Sequence, residues 1–311
     1  MLYKDWLYEW LNNYIKPTCK IRTFERYNTI VEKHIIGKLG NFELDNITIS
    51  ILQNYVSQLF INGNIKTRRG LSGNSINSII SVLQSSLKVS NMLSYSSSYV
   101  ADKIVRPKVI EKRVECFSII EQRKIEDYCI KNKKKKLYGV IICLYTGIRI
   151  GELLALKFSD IDFSKAIMNI SKTCHDSRNG RVVESPKTKS SNRTIPLPKP
   201  ILKLIKELKS ITNCEYLITD SNKPTSIRSY QRTFELILKR LSITHKGFHS
   251  LRHTFATRAL ECGMDVKTLS EVLGHKNTNI TLNRYVHSMF EHKQFMMNKL
   301  AKNFITKMST D

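Results

Sequence analysis

The chain has 311 residues, 41% of them hydrophobic, which excludes a single small core and predicts two folded domains. Its 51 basic residues exceed its 26 acidic residues, and the net charge of +25 predicts a polyanionic partner, either nucleic acid or a membrane surface. There is no run of apolar residues long enough to span a membrane and no signal-peptide pattern, and the seven cysteines are scattered, so we expect reduced thiols in a cytoplasmic protein.

Residues 1–100 are predicted to form a compact module of four or five helices. The first helix is indicated by apolar residues at spacings of three and four: Leu2, Trp6, Leu7, Trp10, Leu11 and Tyr14. Polar residues that precede apolar periods mark the starts of the next three helices: Thr23, then Thr48 or Ser50, then Asn74 or Ser75. Gly37 and Gly40 are predicted to end the second helix.

Residues 101–116 are predicted to be a basic linker, because they have no sustained helical period and Pro107 would interrupt a helix. Basic side chains in such a linker can lie along a phosphate backbone. The second domain, residues 117–311, begins where Ser118 and Glu121 have the spacing of a capping box. This domain holds most of the charge, with a net of +20 beyond residue 100.

Between residues 160 and 198 the pattern changes from helical to alternating. Apolar and polar residues alternate from Ile167 to Lys172, and Asn179-Gly180 is typical of a hairpin turn. These features predict a small antiparallel sheet of about three strands, with helices before and after it. The predicted fold class is therefore mainly α with a small antiparallel β-sheet (α+β).

Four short segments carry residues suited to phosphate chemistry, although each alone also fits an ordinary structural role. Arg149 is predicted in a turn between two helices, and Lys187 near the end of the hairpin. His249 and Arg252 are three residues apart at a predicted helix start with Ser250 as N-cap, where an anion is favoured. A zinc site of the metalloprotease type is not expected there, because that pattern needs Glu at position 250.

The fourth segment contains His275, which follows a helix-ending Gly274, and Tyr285 ten residues later. In order and spacing the four segments resemble the phage integrase family of tyrosine recombinases. The matching stretches are TGIRIGELLAL at 146–156, PKTKSSNRTIPL at 186–197, HSLRHTFAT at 249–257 and LGHKNTNITLNRYVH at 273–287. The resemblance covers the second domain, while residues 3–90 are similar to the helical core-binding domain of the family. It is closest to integrases of phages and conjugative elements of Gram-positive bacteria.

The resemblance implies that Tyr285 attacks a DNA phosphate and forms a 3′-phosphotyrosyl bond. Arg149 and Arg252 would hold the phosphate with their planar donor groups. His249 is then the general-base candidate, His275 a hydrogen-bond donor to the phosphate, and Lys187 the general acid; these six residues form the expected catalytic set. No metal, ATP or other cofactor is expected, and Glu152, Asp160 and Asp162 are interpreted as structural partners.

The resemblance also implies the partners: double-stranded DNA with core-type sites, held in a C-shaped clamp of the two domains. An amphipathic segment, Met289 to Ile305, predicts a C-terminal helix that contacts a neighbouring protomer in a tetramer on two duplexes. A directionality factor and a host DNA-bending protein are further candidate partners that the resemblance implies. We expect no separate arm-binding domain, because the core-binding pattern begins within the first residues.

Several other functions remain open at this point. A dimer resolvase or a DNA invertase would use the same chemistry, and a type IB topoisomerase-like relaxase would share the cleavage step. A DNA-binding regulator that has lost catalysis, or a metal-dependent nuclease, would belong to another class. The complete set of six residues favours an active recombinase.

Overall fold

The computed structural model describes most of the chain in two compact units, Met1–Lys112 and Arg113–Asp311. The described residues are 1–97, 99–109, 115–177, 180–185, 192–219, 221–275, 277–279, 294, 297, 298, 300 and 301. The division between the units lies inside the stretch 101–116 that the sequence predicts as a linker. Within the described residues, no helix combines the length and the apolar character needed to cross a membrane.

The first unit is helical and encloses its own core. Its helices are α1 (Tyr3–Trp10), α2 (Ile21–Ile30), α3 (Ile36–Leu39), α4 (Ile49–Asn62) and α5 (Gly73–Met92). A π-helical stretch, Leu11–Ile15, continues α1, and a second one, Val31–Ile35, joins α2 to α3. The fully buried Trp6 and Trp10 anchor the core, as expected for large apolar side chains on one helix face.

The predicted helix starts in this unit are partly correct. Thr48, one of the two residues predicted to start the helix, is the N-cap of α4. The prediction for α2 is wrong, because the Lys20 carbonyl already accepts the N–H of Phe24 and Thr23 therefore lies inside the first turn. The cap of α5 is Ser72, two residues before the first predicted position.

Part of the predicted linker packs on the first unit. Ala101 and Ile104 are buried in its core, and the Ala101 carbonyl accepts a hydrogen bond of 3.0 Å from Gln84. Arg106 donates to the Gln84 side chain at 2.5 Å and to the Asn77 carbonyl at 3.3 Å. The described part of the stretch up to Arg106 is therefore an extension of the first unit.

The second unit combines helices with two small antiparallel sheets. Its helices are α6 (Ile119–Asn132), α7 (Lys135–Thr146), α8 (Ile150–Ala155), α9 (Lys199–Ser210), α10 (Ile227–Arg240), α11 (His249–Glu261) and α12 (Val266–Leu273). Its strands are β1 (Ile161–Asp162), β2 (Ile167–Ile170), β3 (Thr173–Ser177), β4 (Gly180–Glu184) and β5 (Arg193–Pro196). The predicted fold class is confirmed, since the chain is mainly helical with a small antiparallel sheet component.

The sheets are more divided than the sequence predicts. Strands β1, β2 and β5 form one sheet in the order β1-β2-β5, and β3 and β4 form a separate hairpin. The hairpin closes where Ser177 pairs with Gly180, beside the predicted turn. The prediction of a single sheet of about three strands was therefore wrong in the number of sheets, because the hairpin strands β3 and β4 do not pair with β2 or β5.

Helix α7 is the centre of the second core. Nine of its twelve residues are buried, including every residue from Leu137 to Leu144. Gly139 on this helix leaves room for Tyr230, whose hydroxyl donates to the Lys136 carbonyl at 2.6 Å. The buried helix thereby provides a rigid support for the turn that follows it.

Candidate active site

The turn after α7 places Arg149 at the edge of the core. Gly147 ends the helix with φ 64°, a left-handed conformation that favours glycine. A Cβ at this position would also overlap the Phe255 ring. Arg149 is the N-cap of α8, its N–H donates to the Glu152 carboxylate at 2.9 Å, and its side chain is 36% exposed.

Helix α11 carries His249 and Arg252 in its first turn. Its start is held by the buried Phe248 ring, which makes edge contacts with Tyr230 and Phe234 at 5.4 and 5.2 Å. The prediction that Ser250 caps the helix is wrong, because the helix already begins at His249.

The guanidinium of Arg252 is buried in the second unit and donates hydrogen bonds to backbone carbonyls. The residue is only 2% exposed, and its two terminal nitrogens donate to the carbonyls of Gly147, at 2.8 Å, and Leu273, at 2.7 Å. A buried charge is costly unless hydrogen bonds compensate it, and these carbonyls do so. The contacts also join the end of α7 to the end of α12.

Glu152 lies between two arginines and is 4% exposed. Its carboxylate accepts from Arg149 at 2.8 Å and from both terminal nitrogens of Arg193, at 3.1 and 2.9 Å. Burial acts to raise the pKa of Glu152, but the hydrogen bonds and charges of Arg193 and Arg149 outweigh it and hold the pKa below its usual value. Glu152 is therefore an ionised partner of the arginines.

The other two acids that the sequence places near Arg149 also contact protein groups. Asp160 accepts from Lys172 at 2.8 Å, and Asp162 accepts from the Ser164 hydroxyl at 2.6 Å. These contacts agree with their interpretation as structural partners.

Arg193 is a residue whose role the sequence reasoning missed. Its Nε donates to the Val272 carbonyl at 2.6 Å, and its side chain is 7% exposed. In the sequence alone, Arg193 is one of several basic residues near the hairpin and has no distinct role. The available signal was its place directly before Thr194 and Ile195, which alternate between polar and apolar, because an arginine in a strand can face inward.

Three arginines converge on one helix end. The last carbonyls of α12 and its C-cap, those of Val272, Leu273 and Gly274, accept in turn from Arg193, Arg252 and Arg149. The final carbonyls of a helix have no partners within it and form the negative end of its dipole, so they attract cations. We call the carbonyls of Val272, Leu273 and Gly274 the carbonyl cluster.

His275 follows the carbonyl cluster directly. Gly274 adopts φ 65° and ends α12, and the N–H of His275 donates to the Ser270 carbonyl at 3.0 Å. The cluster therefore brings Arg149 and Arg252 to the same helix end as His275. His249 is exposed one turn before Arg252, and its ring meets the His253 ring edge-on at 4.5 Å.

Two of the six predicted catalytic residues, Lys187 and Tyr285, lie outside the described residues. Most of the predicted C-terminal helix, Met289 to Ile305, does as well. The roles of all six residues, and of this helix, stay predictions.

Two family models match the chain. The Phage integrase family matches residues 108–292, and the N-terminal SAM-like domain of phage integrases matches residues 2–60. Among relatives, a tyrosine recombinase XerC-like protein of Caldanaerobacter subterraneus subsp. tengcongensis is 29% identical over 97% of this chain and 83% of its own. The Tn916 transposase of Enterococcus faecalis is 30% identical over 55% of this chain and 47% of its own. The ICEBs1 integrase of Bacillus subtilis is 23% identical over 89% of this chain and 77% of its own.

Solved structures share the fold. The Tn1549 transposon integrase in complex with a circular intermediate DNA has a TM-score of 0.79 at 20% identity, over 96% of this chain and 99% of that one. A lambda integrase tetramer bound to a Holliday junction has a TM-score of 0.71 at 18% identity, over 92% and 77%. Because the first family model spans more than half of the sequence, the resemblance is confirmed. The chain belongs to the phage integrase family of tyrosine recombinases, and it is an enzyme that cuts and rejoins DNA in site-specific recombination.

Proposed function

We propose that this recombinase integrates or excises a mobile element through a 3′-phosphotyrosyl intermediate formed by Tyr285. The observation that carries the proposal is the attachment of Arg149 and Arg252 to neighbouring carbonyls, those of Gly274 and Leu273, immediately before His275. This arrangement supports a phosphate site made from three separate sequence segments.

The two arginines suit the stabilisation of a phosphate in the transition state. Attack on a phosphodiester builds negative charge on its non-bridging oxygens, and donors already held in place stabilise that charge without rearranging. Arg149 uses one N–H of each terminal nitrogen for Glu152 and Gly274, which leaves further N–H groups of its half-exposed fork for a phosphate. Arg252 would act from its buried position beside it.

The remaining residues would move protons. A tyrosine hydroxyl has an ordinary pKa of about 10, so Tyr285 needs a proton acceptor before it attacks, and His249 is the candidate. Lys187 would protonate the leaving 5′-hydroxyl, since an alkoxide is a poor leaving group. His275 would donate a hydrogen bond to the phosphate.

The phosphotyrosyl ester conserves the energy of the broken phosphodiester, so we propose that rejoining needs neither ATP nor a metal or other cofactor. The engagement of Glu152 by arginines and of Asp160 by Lys172 supports this, because these carboxylates neutralise protein cations. Addition of EDTA should leave cleavage unchanged, whereas a metal-dependent nuclease would stop.

The proposed substrate is double-stranded DNA with core-type sites. We propose that residues 1–100 bind the core site, that residues 101–116 follow its backbone, and that the catalytic domain from residue 117 cleaves it. Helix α10 would add contacts, because Arg228, Arg232 and Lys239 are exposed on it.

We further propose a homotetramer on two duplexes, joined through the C-terminal helix and acting at the nucleoid in the cytoplasm. The lambda integrase that shares the fold is a tetramer bound to a Holliday junction, which supports this assembly. A directionality factor and a host DNA-bending protein are candidate partners. Resolution of DNA dimers or inversion of a segment are alternative outcomes of the same chemistry.

The nucleophile is tested with a nicked DNA substrate that carries an end of the mobile element and traps the covalent intermediate. The unaltered protein should form a protein–DNA adduct, and Tyr285→Phe should form none while still binding the DNA. Tyr216→Phe is the matched control, since Tyr216 is a buried tyrosine of the same domain. An adduct in Tyr285→Phe would refute the nucleophile, and the absence of an adduct in the unaltered protein would favour a DNA-binding regulator.

A further inference from the structure

One of the three arginines that donate to the carbonyl cluster, Arg193, has no part in the proposed mechanism. It lies at the first position of β5, paired with Ile170 of β2, and reaches across to the Val272 carbonyl. We infer that Arg193, together with Glu152, is a positioning pair that fixes the end of α12 and thereby sets the places of His275 and Arg149. The inference rests on the proposed function for its catalytic consequence.

The geometry of Arg193 explains how one side chain holds two elements. Its two terminal nitrogens engage both oxygens of Glu152, at 3.1 and 2.9 Å, while its Nε engages Val272 at 2.6 Å. A guanidinium is planar, so these three bonds determine the relative positions of α8 and the end of α12. A lysine has a single nitrogen on a flexible stem and cannot make the same set.

The charges point to a second role for the pair. Glu152 alone would neutralise Arg149, with which it shares a hydrogen bond of 2.8 Å. Arg193 contributes a second positive charge to the same carboxylate, at 2.9 Å. Arg149, Arg193 and the Glu152 carboxylate together carry one net positive charge. Arg149 is the one whose side chain is partly exposed. Arg193 thus preserves the positive charge that Arg149 offers to a phosphate.

Arg193 also joins parts of the chain that local sequence does not connect. It is 41 residues from Glu152 and 79 residues from Val272. It follows Lys187 by six positions in the sequence. The residue therefore links the strand after the proposed general acid to the helix end before His275, and its three guanidinium nitrogens donate to Glu152 and to the Val272 carbonyl.

Amide hydrogen exchange tests the positioning role without any need for catalysis. The N–H groups of Gly274 and His275 donate to the Glu271 and Ser270 carbonyls, so their exchange reports on the end of α12. Arg193→Lys should lower the protection of these two amides at least about tenfold, while amides of the central helix α7 stay protected. Unchanged protection of Gly274 and His275 would overturn the inference.

The control is Arg258→Lys, because Arg258 makes the same kinds of bonds elsewhere in the domain. It donates to the Phe117 carbonyl at 3.1 Å and to Glu261, without contacting the carbonyl cluster. This variant should leave the exchange of Gly274 and His275 unchanged. If Arg193→Lys does not fold, Glu152→Gln, which keeps the side-chain shape, provides the same measurement.

The catalytic consequence is measured on the nicked DNA substrate as the rate of adduct formation and, separately, the DNA affinity. Arg193→Lys should slow adduct formation at least about tenfold with DNA affinity within about twofold, whereas Arg258→Lys should change neither. If Arg193 serves only to keep the domain folded, Arg193→Lys should lower the rate of adduct formation and the DNA affinity together, in proportion to the folded fraction. That result would contradict the inference. If the unaltered protein forms no adduct, the proposed function fails, while the exchange measurement still decides the positioning role.

Discussion

Arg193 and Glu152 meet through two parallel hydrogen bonds, of 3.1 and 2.9 Å, with both side chains almost fully buried. The pair connects β5 to α8, and each partner also contacts a further group: the Val272 carbonyl for Arg193 and the Arg149 guanidinium for Glu152. These contacts place a structural ion pair directly beside the proposed phosphate site. The stability of the domain and its chemistry therefore depend on the same residues.

Glu152 makes folding stability depend on pH. Its pKa in the folded protein is held below the unfolded value of about 4.3, so the stabilisation is present above that value and is lost as the pH falls through the folded pKa. Glu152→Gln should lower the free energy of unfolding at pH 7 by about 3 kcal/mol, because it removes the carboxylate charge that faces the buried Arg193. Urea denaturation of both proteins at pH 7 and pH 3 should show the difference shrinking in acid.

The control for this measurement is Glu215→Gln. Glu215 pairs with Lys157 at the surface, where solvent screens the interaction, so its replacement should change stability far less. An equal loss in both variants, or a difference for Glu152→Gln that does not shrink in acid, would contradict the assignment.

Arg149→Lys is expected to separate DNA binding from cleavage. The variant keeps the charge and loses the planar fork, so DNA affinity should stay within a few-fold while adduct formation slows about 100-fold. Because the side chain is half-exposed, the melting temperature should change little. Adduct formation at the normal rate would refute a phosphate role for Arg149.

Arg252→Lys is expected to differ from Arg149→Lys in stability. The guanidinium of Arg252 is buried between the Gly147 and Leu273 carbonyls, and a lysine leaves at least one of these carbonyls without its donor. The free energy of unfolding should fall by roughly 1–3 kcal/mol, in addition to a large loss of cleavage. Thermal denaturation beside the cleavage assay checks this, and an unchanged melting temperature would contradict the buried position.

Gly147→Ala should destabilise the turn that presents Arg149. The residue has φ 64°, and an added Cβ would overlap the Phe255 ring and come within 2.8 Å of Leu273. We expect a loss of about 2–4 kcal/mol from strain and overlap together. Gly263→Ala is the control, because Gly263 has φ 88° with open space around it and adds backbone strain alone. Equal losses in the two variants would show that the Phe255 contact contributes nothing.

Arg232→Ala should weaken DNA binding in a salt-dependent manner. If the exposed Arg232 on α10 contacts a phosphate, its loss should reduce the slope of log affinity against log salt by about 1. Lys157→Ala is the matched control, because Glu215 already neutralises Lys157 at 2.5 Å and its loss releases fewer counterions. Identical slopes for Arg232→Ala and the unaltered protein would exclude this contact.

The sequence by itself determined the class of fold and some local boundaries, such as the starts of α4 and α6. The capping box of Ser118 and Glu121 is present with both of its hydrogen bonds, and the change of period near residue 160 marks the strands. Such features depend on residues a few positions apart, which is why pattern alone predicts them. The order of the four catalytic segments was likewise sufficient to place the chain in its family.

Only the tertiary structure decided how the site is held. The role of Arg193 depends on partners 41 and 79 residues away, and no local period encodes those contacts. The start of α11 at His249, two residues earlier than predicted, follows from the burial of Phe248 against Tyr230 and Phe234. Chain neighbours determine caps and periods, whereas a buried charge acquires its partners only when distant elements pack together.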